Sequence, residues 1–313
     1  MEVILISAKA ILPLFVFMML GYYFKRKNLL GDVASAQLNI LVFRFFLPIM
    51  CAETIYKANL REDVELLPVL VVAFSIIGVF LLSWLIVPRF IKEKTQIPVL
   101  IQGIYKSNYA ILGIPIAQSI CGTDNIGIVS VIAVILVPLN NALSAFIFEK
   151  YTGKATSVPK LILNILKNPL VVGSFAGLVL NLSGLAIPSW IMTGIVSKLG
   201  ALTTPVSMII LGASFEFSKT RMYVKQLLWI NLAKLILVPG IIIPISILLG
   251  LRSTALVGIL IYAAAPNAVN SYSTAVAMGG DADLANEIVV TTSLFSMLTM
   301  FGWCVLVGSL VGF

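Results

Sequence analysis

The chain contains apolar runs of about 20 residues that alternate with short polar breaks. A bilayer core of about 30 Å requires a helix of roughly 20 apolar residues, whereas a membrane barrel strand needs only about 10. Runs of this length therefore predict membrane-spanning α-helices. Ten spans are expected, near 4–24, 33–55, 66–88, 97–121, 124–148, 168–186, 198–217, 224–249, 253–278 and 285–311. The sequence thus predicts an all-α integral membrane protein with about ten transmembrane helices.

Composition excludes several classes of protein. Of the 313 residues, 60% are hydrophobic and only 11% are charged, whereas a soluble domain carries roughly 25% charged residues. This excludes a soluble globular enzyme, a disordered chain and a nucleic-acid binder. Histidine is absent, and the three cysteines are scattered through or near apolar runs, which argues against a metal site or a disulfide framework. We expect no enzyme activity, no metal and no cofactor.

The basic residues indicate how the chain is oriented. If the N-terminus lies outside, the inner loops hold 13 of the 21 Lys and Arg residues, whereas the outer loops hold Lys57, Arg61 and Arg252. Because cytoplasmic loops carry an excess of Lys and Arg, both termini are predicted outside a bacterial-type cytoplasmic (inner) membrane. The net charge of +8 is then mainly a topology signal, with binding to membrane lipid headgroups as a side effect. The inner basic residues are Lys25, Arg26, Lys27, Arg89, Lys92, Lys94, Lys150, Lys154, Lys160, Lys167, Lys219, Arg221 and Lys225.

The two halves of the chain show a weak internal repeat. At an offset of 157 residues, four pairs of turn-prone or interfacial residues coincide, namely Pro48 with Pro205, Tyr105 with Tyr262, Gly122 with Gly279, and Asp124 with Asp281. Since each half has five spans, an odd number, the halves are predicted to be inverted in the membrane, as in many secondary transporters. We expect a first repeat over 1–149, a short cytoplasmic linker over 150–167 and a second repeat over 168–313.

Spans four and nine are polar and interrupted in the middle. Proline removes a backbone donor, and the freed carbonyl groups are tolerated at membrane depth only inside protein or beside a water-filled cavity. Interrupted segments at matching positions in two halves indicate a transporter's binding site, and half-helix N-termini suit an anion. We expect Gly113, Pro115 and Pro266 to shape the breaks. The alternative is that these residues only pack between helices.

Polar side chains beside the breaks are the candidate substrate ligands. Asn108 and Asn267 are the first candidates for binding a carboxylate or a counter-cation, and Asn270, Ser107 and Tyr272 come second. Tyr109 is a candidate that fits packing equally well. The asparagines of span five, Asn140-Asn141, and the polar run Thr291-Thr292-Ser293 are assigned to packing between helices.

Three basic residues lie near mid-span, where a charge costs about 2.5–3.5 kcal/mol on insertion scales. One interpretation of Arg44, Lys106 and Lys234 is an electropositive path for organic anions. The other is that Arg44 pairs with Glu53 or a helix end and that Lys234 bonds backbone carbonyls, and we favour it for these two. Lys106 adjoins the break in span four and fits either interpretation. No acidic residue is predicted in mid-span, which argues against a carboxylate-centred proton carrier.

Several short motifs in this order resemble the auxin efflux carrier family over the whole chain. Span four contains Asn followed by Gly-hydrophobic-Pro, as that family does. The matching stretches are Gly21-Tyr22 with Leu30, Pro48, Asn108–Pro115, Phe146–Glu149, Asn168-Pro169, Leu211–Ser214 and Ala265-Pro266.

The resemblance implies a ten-helix inverted-repeat fold like that of sodium/proton antiporters and bile-acid symporters. Spans one, two, six and seven would form a scaffold, and three to five with eight to ten a moving transport domain. Broken helices four and nine would cross beside the substrate, and the carrier would work as an elevator. Family members resemble homodimers joined through the scaffold, and prokaryotic members are described as carriers of malate or related organic anions.

The sequence departs from the plant members of that family. Ser107, preceded by Lys106, stands where plant carriers have a proline, and Asn267 stands where they often have glutamine. The inner loop between the halves is short, so control by kinases through a long loop is not implied. Auxin as a substrate is not implied either. We therefore predict a carrier of a small organic anion with a proton or sodium as possible coupling ion. Alternatives are a sodium-coupled symporter of a bulkier amphipathic anion, an intramembrane enzyme, and a non-transporting sensor.

Overall fold

The computed structural model describes residues 2–57, 66–122, 127–153, 159, 163, 167, 169–213 and 221–312. Within these ranges the regular structure is entirely helical, without a strand. We number the helical segments in chain order and mark the halves of two interrupted segments a and b. Their bounds are Glu2–Arg26 (α1), Asp32–Lys57 (α2), Leu66–Phe90 (α3), Gln96–Tyr105 (α4a), Ile114–Cys121 (α4b), Gly127–Thr152 (α5), Pro169–Ser183 (α6), Ser189–Ala213 (α7), Arg221–Leu248 (α8), Ser253–Ala264 (α9a), Asn270–Met278 (α9b) and Ala282–Val311 (α10).

Six of the described segments are each long and apolar enough to cross a membrane, namely α2, α3, α5, α7, α8 and α10. Their outward faces expose large apolar side chains, for example Phe74 on α3, Leu248 on α8 and Leu298 on α10. Exposure of such surface to water costs a free energy of about 25 cal/mol per Å², whereas contact with lipid tails avoids this cost. The described part of the chain is therefore all-helical and has the apolar helices of a multi-pass membrane protein, and the count of ten spans and the inverted repeat stay predictions.

Helices α1 and α7 pack backbone against backbone. A Cβ atom on Gly21 would lie 1.9 Å from the carbonyl oxygen of Ile209, and one on Gly212 would lie 1.9 Å from that of Met18. Small residues permit such close approach in membranes, where packing and not the hydrophobic effect joins helices. The two glycines therefore set the distance between these helices.

Helices α2 and α6 are joined in the same way. A Cβ atom on Gly173 would lie 2.4 Å from the carbonyl oxygen of Pro48, and one on Gly177 would lie 2.5 Å from that of Ala52. Helix α7 also approaches α2, since a Cβ on Gly200 would lie 3.3 Å from the Cα of Met50. Helices α1, α2, α6 and α7 thus form one closely packed set, which we call the glycine-packed group.

The interrupted helices lie among α3, α5, α8 and α10. Every residue of α9a from Ala255 to Ala264 is buried, so protein surrounds this half-helix. A Cβ on Gly113, just before α4b, would lie 2.3 Å from Cγ2 of Ile261. The first half of one interrupted helix therefore presses against the second half of the other.

The largest difference from the predicted boundaries is in α7. This helix begins at Ser189 and not at 198, and its first part includes a π-helical turn at Met192–Val196. Helix α10 begins at Ala282, three residues before the predicted start at 285, and Glu287 is buried within it. The helix already begins at Ala282 because Asp281 caps it, its carboxylate accepting the Leu284 N–H at 3.0 Å.

Several expectations fall outside the described residues. Most of the linker over 150–167 is among them, together with the motif residues Asn168 and Ser214 and the aspartate Asp124 used in the repeat. The division into two five-helix repeats accordingly stays a prediction.

Candidate functional site

The two interrupted helices meet at their breaks. Helix α4a ends at Tyr105, and Lys106 is extended with φ −77° and ψ 132°. Helix α9a ends at Ala264, and Ala265 is extended with φ −64° and ψ 148°. The Asn108 N–H donates to the Pro266 carbonyl oxygen at 2.8 Å. This bond pairs a free N–H of the first break with a free carbonyl group of the second. Irregular backbone inside a membrane protein requires such partners.

A cavity of about 270 Å³ opens beside this junction. Four chain segments line it, and one of them, from α2, belongs to the glycine-packed group. The lining residues are Asn39, Ile40, Val42, Arg44 and Leu47 from α2, Lys106–Tyr109 from the first break, Leu136, Val137, Asn140 and Asn141 from α5, and Ala268–Asn270 from the second break.

Polar atoms on the cavity lining lack hydrogen-bond partners among the described residues. They are Nζ of Lys106, Oγ of Ser107, Nδ2 of Asn108, Oδ1 of Asn140 and Oδ1 of Asn270. A buried polar group without a partner costs about 1–3 kcal/mol. The five residues that carry these groups all line one cavity, so they are candidate donors and acceptors for a polar molecule. Three of the five atoms can donate, which suits an anion, and the two asparagine oxygens accept.

The structure separates the predicted ligands into two sets. Lys106, Ser107, Asn108, Tyr109 and Asn270 line the cavity. Tyr109 also has a packing role, because its hydroxyl donates to the Val129 carbonyl oxygen at 3.2 Å.

Asn267 and Tyr272 do not line the cavity. The Asn267 side-chain oxygen accepts the Ala268 N–H at 2.8 Å and the Ser271 hydroxyl at 2.9 Å, so it stabilises the turn before α9b. Its backbone N–H donates to Oγ1 of Thr292 at 3.2 Å, which ties the break to α10. Tyr272 is 44% exposed.

The helix-break residues have different positions. Pro266 lies within the second break, between α9a and α9b. The first break lies at Lys106–Asn108, and both Gly113 and Pro115 follow it in helical backbone. Pro115 follows a π-helical turn at Tyr109–Gly113 and is the seventh residue of a continuous helical stretch that begins at Tyr109. Its missing N–H therefore interrupts the hydrogen bonding inside a half-helix, and the break itself lies before that stretch.

For Arg44 the sequence favoured pairing with Glu53 or a helix end over a place on an anion path, and the pairing with Glu53 is wrong. The carboxylate of Glu53 instead binds Nζ of Lys57 at 2.7 Å and the Ser197 hydroxyl. Arg44 lies in a π-helical turn of α2, Val42–Phe46, and lines the cavity. The sequence feature that could have identified Arg44 as a site residue was its position in mid-span, since charged residues there almost always face protein or a water-filled cavity.

Asn140 was assigned to packing between helices, and it also lines the cavity. Its main-chain carbonyl oxygen accepts the Tyr105 hydroxyl at 3.2 Å, which joins α5 to α4a, and the Ser144 hydroxyl of its own helix at 2.7 Å. Its side-chain oxygen is buried without a partner among the described residues.

Lys234 is buried in α8, away from the cavity. Its Nζ lies 5.5 Å from the ring centroid of Tyr262 and has no hydrogen-bond partner among the described residues. The expectation that it bonds backbone carbonyls is therefore wrong. A cation–π contact of this kind is worth about 2 kcal/mol when desolvated.

Comparison with known proteins gives a consistent result. A family model described as "Membrane transport protein" matches residues 6–304. An "Uncharacterized transporter" of Methanothermobacter thermautotrophicus is 22% identical over 96% of this chain and 98% of its own length. The "Uncharacterized transporter YfdV" of Escherichia coli K12 is 24% identical over 97% of this chain and 93% of its own length.

Proposed function

Because this chain belongs to the membrane transport protein family, which the resemblance to auxin efflux carriers anticipated, we propose that it is a secondary transporter of a small organic anion. The proposal names a carboxylate such as malate or an auxin-like acid as the substrate class. The cavity beside the two helix breaks is the observation on which it rests.

The lining chemistry supports an anion. Lys106 and Arg44 bring two basic side chains to one small cavity, and none of the described residues that line it is Asp or Glu. The amide nitrogen of Asn108 and the hydroxyl of Ser107 add neutral donors beside Lys106. Hydrogen bonds that combine a charged donor with a carboxylate are the strong ones, so these groups would hold a carboxylate at the junction.

The size of the cavity favours a small acid over a bulkier amphipathic anion. About 270 Å³ lies just below the range of roughly 300–1,000 Å³ that is usual for drug-sized ligands. The sodium-coupled symporter of a bulky anion is therefore the second candidate, and its expected signature is uptake that disappears when sodium is removed.

We propose an elevator mechanism, in which α1, α2, α6 and α7 stay fixed while α3–α5 and α8–α10 carry the substrate. The close glycine contacts of the first set support a rigid scaffold. The hydrogen bond between Asn108 and Pro266 supports movement of both breaks as one body. A homodimer through the scaffold, residence in the cytoplasmic membrane and coupling to a proton or sodium belong to the same proposal and rest on the family resemblance.

The test is uptake of labelled carboxylates into proteoliposomes. Malate, citrate, a short branched acid and indole-3-acetate are each supplied with a sodium gradient, a proton gradient or neither. We expect saturable uptake of a small carboxylate by the unmodified protein and its loss in Asn108→Ala. The matched control is Asn231→Ala, an asparagine of α8 outside the cavity, which should keep uptake.

Two outcomes would contradict the proposal. Absence of uptake of every acid by folded protein would exclude this substrate class, and binding without uptake would indicate a sensor. Equal loss in Asn108→Ala and Asn231→Ala would show that the cavity is not the site.

A further inference from the structure

We infer that Arg44 binds the substrate in only one of the two access states of the carrier, so that it sets which state the substrate favours. The inference rests on the proposed elevator mechanism. Only the structure shows that Arg44 lines the cavity. Its role differs from that of Lys106.

The charge of Arg44 has no partner in the described part of the chain. Arg44 is the thirteenth of the 26 residues of α2, about 18–20 Å from either end at 1.5 Å per residue. That is farther than an arginine side chain extends, so the guanidinium does not reach the ends of α2. Among the described residues, Arg44 has neither an ion pair nor a hydrogen bond. Arg44 lines the cavity and is also exposed, so its charge is open to a ligand that enters there.

The two basic residues of the cavity, Arg44 and Lys106, belong to different groups of helices. Arg44 is on α2, whose backbone is fixed against α6 at Gly173 and Gly177. Lys106 is in the first break, which is hydrogen-bonded through Asn108 to the second break. The cavity therefore forms where the two groups face each other, with one cation on each side.

Arg44 and Lys106 move apart when the two groups of helices move relative to each other. When the breaks move across the membrane with the substrate, Lys106, Ser107 and Asn108 move too, and Arg44 stays with α2. The attraction between two charges falls with their separation, so the substrate loses the Arg44 contact and keeps the others. A ligand shifts a conformational equilibrium only by its difference in affinity for the two states. Arg44 supplies such a difference, and Lys106 does not.

The experiment measures the conformational equilibrium directly. Spin labels are placed at Lys198 on α7, which is exposed, and at Gly302 on α10, where nothing lies within 4 Å of an added Cβ. The distribution of distances between the labels gives the ratio of the two states, without and with saturating malate. If malate is not transported, the carboxylate with the largest saturable uptake in the panel replaces it.

The expected results distinguish the two cations. In the unmodified protein, saturating substrate changes the ratio of states by roughly tenfold or more, the effect of one charged hydrogen bond. In Arg44→Gln the change falls below about threefold, and Arg44→Lys restores part of it. In Lys106→Gln the full change remains but requires a higher substrate concentration, because both states lose the same contact.

Several results would overturn the inference. A full substrate-induced change in folded Arg44→Gln would show that Arg44 does not discriminate between the states. The absence of any change in the unmodified protein would do the same, even if the Arg44 variants did not fold. Absence of carboxylate uptake by the unmodified protein is a different failure, since it removes the proposed function and the inference with it.

Discussion

At the scale of single residues, the two break asparagines have different tasks although the sequence presents them as equivalents. Asn108 is 3% exposed, lines the cavity and has a side-chain nitrogen without a partner among the described residues. Asn267 is equally buried, but its side-chain oxygen accepts two hydrogen bonds. One side chain is available to a ligand, and the other maintains the backbone that presents it.

Asn267→Ala should therefore lower stability, and Asn108→Ala should not. Loss of two hydrogen bonds at about 1 kcal/mol each predicts that Asn267→Ala lowers the free energy of unfolding by about 1–2 kcal/mol. Thermal unfolding of the purified variants in detergent measures the difference. The comparison fails if Asn108→Ala is the less stable variant, because Asn108 would then have the structural role.

Lys234 provides a second prediction at this scale. Lys234→Met replaces a buried ammonium group with an apolar side chain of similar length. The cation–π contact with Tyr262 is lost, but so is a desolvation cost of several kcal/mol per buried ion. We expect the free energy of unfolding to rise by about 1 kcal/mol or more.

A thermal melt and an uptake assay together test this prediction. Uptake should persist, since Lys234 does not line the cavity. Lower stability or lost uptake in Lys234→Met would mean that its charge has a task outside the cavity.

At the scale of helices, the interrupted segments were the most predictable feature. Polar residues and prolines in the middle of spans four and nine predict breaks there, and both helices are broken, at Lys106–Asn108 and at Ala265–Val269. The position of the first break was less predictable, because Pro115 lies inside the helical stretch that follows the break and that begins at Tyr109. A proline in mid-span therefore indicates an irregular helix but not the position of its break.

The glycine contacts between α1 and α7 predict a specific sensitivity. Gly212→Ala places a Cβ 1.9 Å from the carbonyl oxygen of Met18, so the helices must separate. Overpacking of this kind costs about 1–3 kcal/mol, and thermal unfolding in detergent should report it as a lower transition temperature.

The control for this prediction is Gly78→Ala on α3, where nothing lies within 4 Å of the added Cβ. Alanine favours a helix over glycine by about 0.8–1.0 kcal/mol, so this variant should be as stable as the unmodified protein or more so. If both variants have the same transition temperature, close backbone contact is not the reason that position 212 requires glycine.

At the scale of the whole molecule, the cavity unites segments that are far apart in sequence, near 39–47, 106–109, 136–141 and 268–270. The sequence identified two of these segments from their helix breaks. It did not identify the other two, because α2 and α5 are continuous helices whose polar residues fit packing equally well. Only the arrangement of helices shows that Arg44 and Asn140 face the same cavity as Lys106.

Orientation in the membrane is also a property of the whole chain, and the basic residues predict that both termini lie outside. The turn after α1 follows Lys25, Arg26 and Lys27 and should be cytoplasmic, whereas the loop between α6 and α7 lacks basic residues and should be external. In a background without the three native cysteines, Ala186→Cys should react with a membrane-impermeant maleimide on intact cells. Leu29→Cys should react only after the cells are permeabilised. Both sites are exposed, so access to the reagent and not burial decides the result, and the reverse pattern would invert the whole topology.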